Sequence, residues 1–160
     1  MTDPVRAAIV AALETVPAIG AVHAFERYAP QSQAMQALYR WTNPDTGAAE
    51  IRGWFVSLVS ERYGAPRAGR GTVVGGWLIT GLLAVQDAAA SELTIAALAR
   101  AVVARLAADP TLGGTVGRLC DGRNGPATDV GAQIERIEPV MFAGVLCHRA
   151  RLSLVTERFQ

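Results

Sequence analysis

The segment around Trp77-Leu-Ile-Thr-Gly-Leu-Leu-Ala-Val85 is apolar on both faces that a strand presents. Val74, Leu78 and Leu82 point one way, and Val73, Trp77, Ile79 and Val85 the other. An antiparallel sheet usually leaves one face to water, so such a strand requires cover on both sides. One cover lies next in the sequence. Through Asp87-Ala-Ala-Ala-Ser91-Glu92-Leu93 the chain enters an amphipathic helix that runs from about Ser91 to Ala108. Its stripe is Ile95, Leu98, Ala99, Val102 and Leu106, with Arg100 and Arg105 away from it. Ser91 or Asp87 reads as the cap, and Glu92 suits the positive end of the helix dipole. Asp109-Pro-Thr-Leu-Gly-Gly114 stops the helix. After a Gly-rich loop the chain is expected to return as one long strand, Phe142 to Leu154, reaching almost to its last residue. The second cover is expected from a neighbouring subunit.

The first half supplies another helix and a hairpin. Asp3 followed by Pro4 is a start signal, because the carboxylate accepts orphan amide hydrogens while proline's fixed φ suits the first helical position. Val5, Ile9, Ala12, Leu13 and Val16 recur at helical spacing, and Pro17 with Gly20 closes the segment. Ala21 to Tyr28 suits a short strand, and Pro30 to Trp41 a turn or two of helix using Met35, Leu38 and Tyr39. Asn43-Pro-Asp-Thr-Gly47 is a turn that delivers a β-rich run, Ile51 to Ser60. Tyr63 to Gly71 is too long and Gly-rich for a tight turn, and reads as a protruding hairpin tip. The expected fold is a single α+β domain over residues 1–160. It has a mostly antiparallel sheet with a long hairpin, packed on one face by an N-terminal helix and one long central helix.

Composition narrows the function classes. All 15 basic residues are Arg against 14 acidic ones, and the resulting net charge of +1 is spread along the chain, so no dedicated nucleic-acid stripe forms. The chain is 51% apolar, yet its longest apolar run, Val73 to Val85, is broken by glycines and too short for a bilayer span. Excess apolar surface of this kind points to a subunit interface. Asp3 near the start and the lack of an apolar h-region give no secretory signal, so synthesis in the cytosol is expected. Cys120 and Cys147 fit no CxxC or zinc spacing and read as free thiols.

No constellation for catalysis emerges. Cys147 and His148 are adjacent, so in a strand they point to opposite faces and cannot form a thiolate–imidazole pair. Cys147 reads as a small packed residue, and His148 as a core or interface histidine on the face of Phe142, Leu146, Leu152 and Leu154. No cluster of His, Asp or Glu at i, i+3 or i, i+4 spacing joins His23 or His148 into a metal site, and no cofactor site is expected. Gly69-Arg-Gly71, Gly75-Gly76 and the stretch Asp121 to Gly131 are not followed by helical patterns, so they are not phosphate loops; the last reads as a loop that orders on assembly. The Arg residues form the remaining constellation. Arg67 and Arg70 share the hairpin tip with Arg123 in the second loop as an expected interface, while Arg149 and Arg151 share a strand face with Ser153. That pair is either a solvated surface, a contact with acidic partners, or the lining of a channel where DNA passes unread.

Strand, Asp-x-x-x-Ser-Glu-Leu entry, helix, Asp-Pro-Thr-Leu-Gly-Gly, loop and a last strand into Thr156-Glu-Arg-Phe together resemble the tail terminator (tail completion) proteins of long-tailed phages and phage-like particles. The likeness runs from about Val5 to Phe159 as element order and short phrases. It implies a structural subunit, not an enzyme. Six copies would form a ring at the head-proximal end of the virion tail, assembled in the host cytoplasm. The ring would cap the tail tube protein, meet the head-tail connector protein and let DNA through without membrane contact. Arg149 and Arg151 would face a neighbour or the lumen. The alternatives are another tube or connector subunit, or a small α+β enzyme or ligand-binding domain using Cys147 or a pocket near Trp54 and Trp77.

Overall fold

The computed structural model describes residues 3–66, 69–120 and 131–160. Helix α1 (Pro4–Glu14) starts as its sequence dictates: the Asp3 carboxylate accepts from the amides of Val5 at 3.0 Å and Arg6 at 3.4 Å, with Pro4 in the first turn. Strand β1 (Ala21–His23), helix α2 (Ser32–Leu38) and strand β2 (Arg40–Thr42) follow. Then come the hairpin strands β3 (Ala49–Tyr63) and β4 (Thr72–Ala84), helix α3 (Ser91–Ala108), and strands β5 (Arg118–Leu119), β6 (Gln133–Phe142) and β7 (Val145–Phe159). The fold is α+β with a long hairpin, as expected.

Three long antiparallel strands, β3, β4 and β7, carry the sheet, and β4 lies between the other two. Strand β1 adds to β3 in parallel at Gly53 to Phe55, while β2 pairs antiparallel with the start of β3. On the far side β6 and β5 pair with successive parts of β7. One face meets α1 and α3. Trp54, Val56, Trp77, Ile79, Leu83, Leu152 and Leu154 pack there against Val5, Ile9 and Leu13 of α1 and Ile95, Ala99, Val102 and Leu106 of α3. Every residue of the α3 stripe read from the sequence is buried. The Trp54 indole has room only because Gly81 stands directly opposite: a Cβ at that position would fall 2.6–2.7 Å from three carbons of the ring.

The second face corrects two expectations. Helices do not lie on one face alone, and the cover for the second face is partly the chain's own. Helix α2 and Tyr39 close over Ile51, Phe55, Leu82 and Cys147. Tyr39 is fully buried, its ring meets His23, Phe55 and Phe142 edge-on, and its hydroxyl accepts from the Arg27 amide at 3.0 Å and donates to the Arg27 carbonyl. His23 donates through Nε2 to the Leu38 carbonyl at 2.6 Å, which fixes its tautomer. Gly53 is the counterpart of Gly81 here, since a Cβ would strike the Tyr39 ring at 2.7 Å. Farther along this face Leu78 and Val74 are only half-buried.

Two local readings also change. The single return strand is a hairpin, β6 and β7, turned at Ala143-Gly144 with φ of 49° and 81°, the positive-φ pair of a two-residue hairpin turn. Phe142 therefore belongs to β6 and packs on the second face, apart from His148. The cap of α3 is Ala90 in a left-handed conformation, with no side-chain bond; a 3-10 turn at Asp87–Ala89 precedes it, and the Ser91 hydroxyl accepts from the Gln86 amide. Gly81→Ala should lower stability by about 1–3 kcal/mol, the cost of overpacking a rigid buried ring, and a thermal melt would register the loss.

Candidate functional site

The register of β7 settles which way its arginines face. Arg149 and Arg151 stand opposite Leu82 and Thr80 of β4, and Ser153 opposite Leu78, on the face away from α1 and α3. Across the other ladder, Arg149 faces Glu138, Arg151 faces Arg136 and Ser153 faces Gln133 of β6. Glu138 is the hub of this surface. It takes Nη2 of Arg149 at 2.5 Å and Nε of Arg136 at 2.8 Å, while Glu135 accepts from the Ser153 hydroxyl. The Arg149 hydrogen bond, with Arg136 and Arg151 adding their fields, holds the Glu138 carboxyl below the usual carboxylate range. Arg151 is exposed, and among the described residues it has no hydrogen bond or ion pair of its own. Its neighbour across the ladder has the same charge, an arrangement that works against the fold.

The helix layer ends before the hairpin does. Arg6, in the first turn of α1, donates through Nη1 to the carbonyls of Val56 at 2.9 Å and Ala24 at 2.7 Å, and its guanidinium sits 5.4 Å from the Trp77 ring centre. Beyond that level β3 carries Leu58, Val59 and Tyr63 exposed, and Phe159 at the end of β7 is 63% exposed. Ion pairs Arg118–Glu157 and Arg158–Glu61 brace this ribbon, and Gln160 bonds to Gly71 at its outer end. Arg70 is exposed there. Arg67 and Arg123, and with them most of the second Gly-rich stretch, lie outside the described residues.

The groups weighed for catalysis are distributed through the interior. Cys147 is fully buried beside Tyr39 and Leu82, and burial pushes its thiol up to about 11, so it carries its proton at neutral pH. His148 points to the other face and meets Ser91 Oγ at 3.0 Å. This contact, between residues 57 positions apart, had no sequence signal; with Ser91 buried it fastens the start of α3 to β7. Trp54 and Trp77 are buried core residues, and Trp77 Nε1 donates to Thr156 Oγ1 at 3.0 Å. Two clefts of about 230 Å³ lie elsewhere, one beside Gln36, Arg40, Glu50 and Gln86, the other between α1 and α3 beside Thr15, Arg105 and Asp109. Among the described residues no three His, Cys, Asp or Glu side chains converge to hold a metal, and no helix is long and apolar enough to cross a membrane.

No known family model matches the chain, and neither does any characterised protein. The geometry therefore stands alone: a covered core, a mixed-charge sheet face and an apolar-tipped ribbon.

The Glu138 cluster gives a signed pH effect. A carboxyl with a lowered folded pKa adds stability above its unfolded pKa and loses it as pH falls through the folded value. Glu138→Gln should therefore narrow the fall in urea midpoint between neutral and acid pH, relative to the wild type.

Proposed function

We propose that the chain is a structural subunit that closes into a ring, of the kind tail terminators of long-tailed phages form at the head-proximal end of the tail. The observation that carries this reading is the ribbon beyond Arg6, where Leu58, Val59, Tyr63 and Phe159 are exposed on strands that the helices do not reach. Large apolar side chains grouped on one projecting element are the mark of a contact surface. The half-covered sheet face with Arg136, Arg149 and Arg151 lies on the same strands and extends that surface with charge. Buried Cys147, Trp54 and Trp77 weigh against an enzyme or ligand-binding domain built on them.

In this reading the chain makes and breaks no bond. Copies of it associate side by side, cap the tail tube, offer the opposite rim to the connector and surround DNA without reading its sequence. Closed symmetry satisfies a repeated pair of unlike patches without leaving an open end. A tube or connector subunit would share these surfaces but would stack. Native mass spectrometry and electron microscopy of the purified chain distinguish the cases: a closed ring, six copies for the terminator reading, is expected. Open-ended tubes would transfer the chain to the tube class, and a monomer at every concentration would overturn the ring.

A further inference from the structure

Among the exposed charges, two groups of opposite sign stand on opposite faces of the sheet beside neighbouring residues of β7, His148 and Arg149. On the sheet face turned from α1 and α3, Arg136 and Arg149 pair with Glu138 and Ser153 donates to Glu135, while Arg151, opposite Arg136, is left exposed with no ion pair among the described residues. Half-buried Leu78 lies beside them, opposite Ser153. The start of α3 has the reverse character. Asp87 and Glu92 are both exposed, and neither forms an ion pair among the described residues. The Ser91–His148 contact brings this turn against β7, where Met141 and Leu146 stand opposite each other on the helix side and are exposed with Leu93. Each place thus joins an unpaired charge to uncovered apolar surface, with opposite signs.

Resting on the ring reading above, we infer that these two surfaces are the two halves of one subunit contact: the Arg136–Arg149–Arg151 face of one copy receives the Asp87–Glu92 turn of the next. The patches lie on opposite faces of the sheet, so the contact is head-to-tail, and a head-to-tail contact generates a ring or a filament where a self-complementary one would stop at a dimer. Opposite potentials fix register and discourage wrong pairings, while Leu78 on one side and exposed Leu93, Leu146 and Met141 on the other supply area free of water. The Arg136–Arg151 opposition also gains a reason: beyond Glu138 and Glu135, the carboxylate that balances the third guanidinium comes from the neighbour.

Charge reversal tests the contact. Variant one carries Arg136→Glu and Arg151→Glu, and variant two Asp87→Arg and Glu92→Arg. Each alone should associate about tenfold or more weakly than the wild type in sedimentation analysis, with an unchanged circular dichroism spectrum. Mixed in equal amounts, they should recover assembly as alternating rings with an even number of copies, since only unlike neighbours then match. Arg151→Glu alone breaks no ion pair and serves where the double change disturbs the fold; it should weaken assembly in the same direction. Wild-type rings together with unimpaired variants would overturn this contact and leave the ring reading standing, as would variants that fail and are not restored by mixing. A wild-type chain that remains monomeric would overturn both.

Discussion

The register of β3, β4 and β7 is the constraint on which the remaining structure depends. Trp54 faces Gly81 and Leu152 faces Ile79, so one set of alternate side chains meets α1 and α3 while the other meets α2 or solvent. A one-residue slip would turn the core set outward and bring Arg149 and Arg151 under the helices. Glycines fix the register as firmly as the large residues. Gly81 admits the Trp54 ring on one face and Gly53 admits Tyr39 on the other, so two aromatic side chains lie against backbone from opposite sides of the same three strands.

Segments with strong periodicity and punctuation were legible in the sequence. Asp3-Pro4, the α3 stripe and its end at Asp109 were correct, because caps and a 3.6-residue repeat act locally. Strand β6 was missed because it is an edge strand whose first residues, Gln133 to Arg136, are exposed, and Pro139 argues against pairing. Its turn at Ala143-Gly144 was hidden by the alanine, a residue that seldom takes positive φ. The cover over Leu82 depends on Tyr39, which reaches it through tertiary packing that no pattern within residues 30–41 encodes. For the candidate site, alternation placed Arg149 and Arg151 on one face, but Glu138 and Arg136 could join them only once β6 was recognised as a strand.

The exposed arginines of the charged face, Arg136 and Arg151, contribute little to stability, and this bears on its role. Exposed ion pairs typically add about 0–1 kcal/mol because solvent screens them and ordering long side chains costs entropy. Glu138 already engages Arg149 and Arg136, leaving Arg151 as a like-charged neighbour that the isolated fold would do without. The core on the opposite face, with Trp54, Ile79, Leu152 and Leu154 all but inaccessible, holds the sheet whatever the arginines do. A surface decoupled from the core in this way is free to serve recognition, where charge affects orientation and rate of encounter more than depth of binding.

Arg6 marks the boundary between these two regimes. By donating to the Val56 carbonyl and sitting over Trp77 it closes the helix-packed part of β3 and β4, and the strands continue past it with no helix of the described residues above them. Beyond Arg6 the ribbon is held by its ladder, the Arg118–Glu157 and Arg158–Glu61 pairs and the Gly71–Gln160 bonds. Ladder bonds order a backbone without requiring particular side chains, so Leu58, Val59 and Tyr63 are not needed to fill the monomer's core. Their retention as large apolar groups on a rigid ribbon is understandable when another surface completes their burial, and a ring supplies such a surface at every subunit boundary.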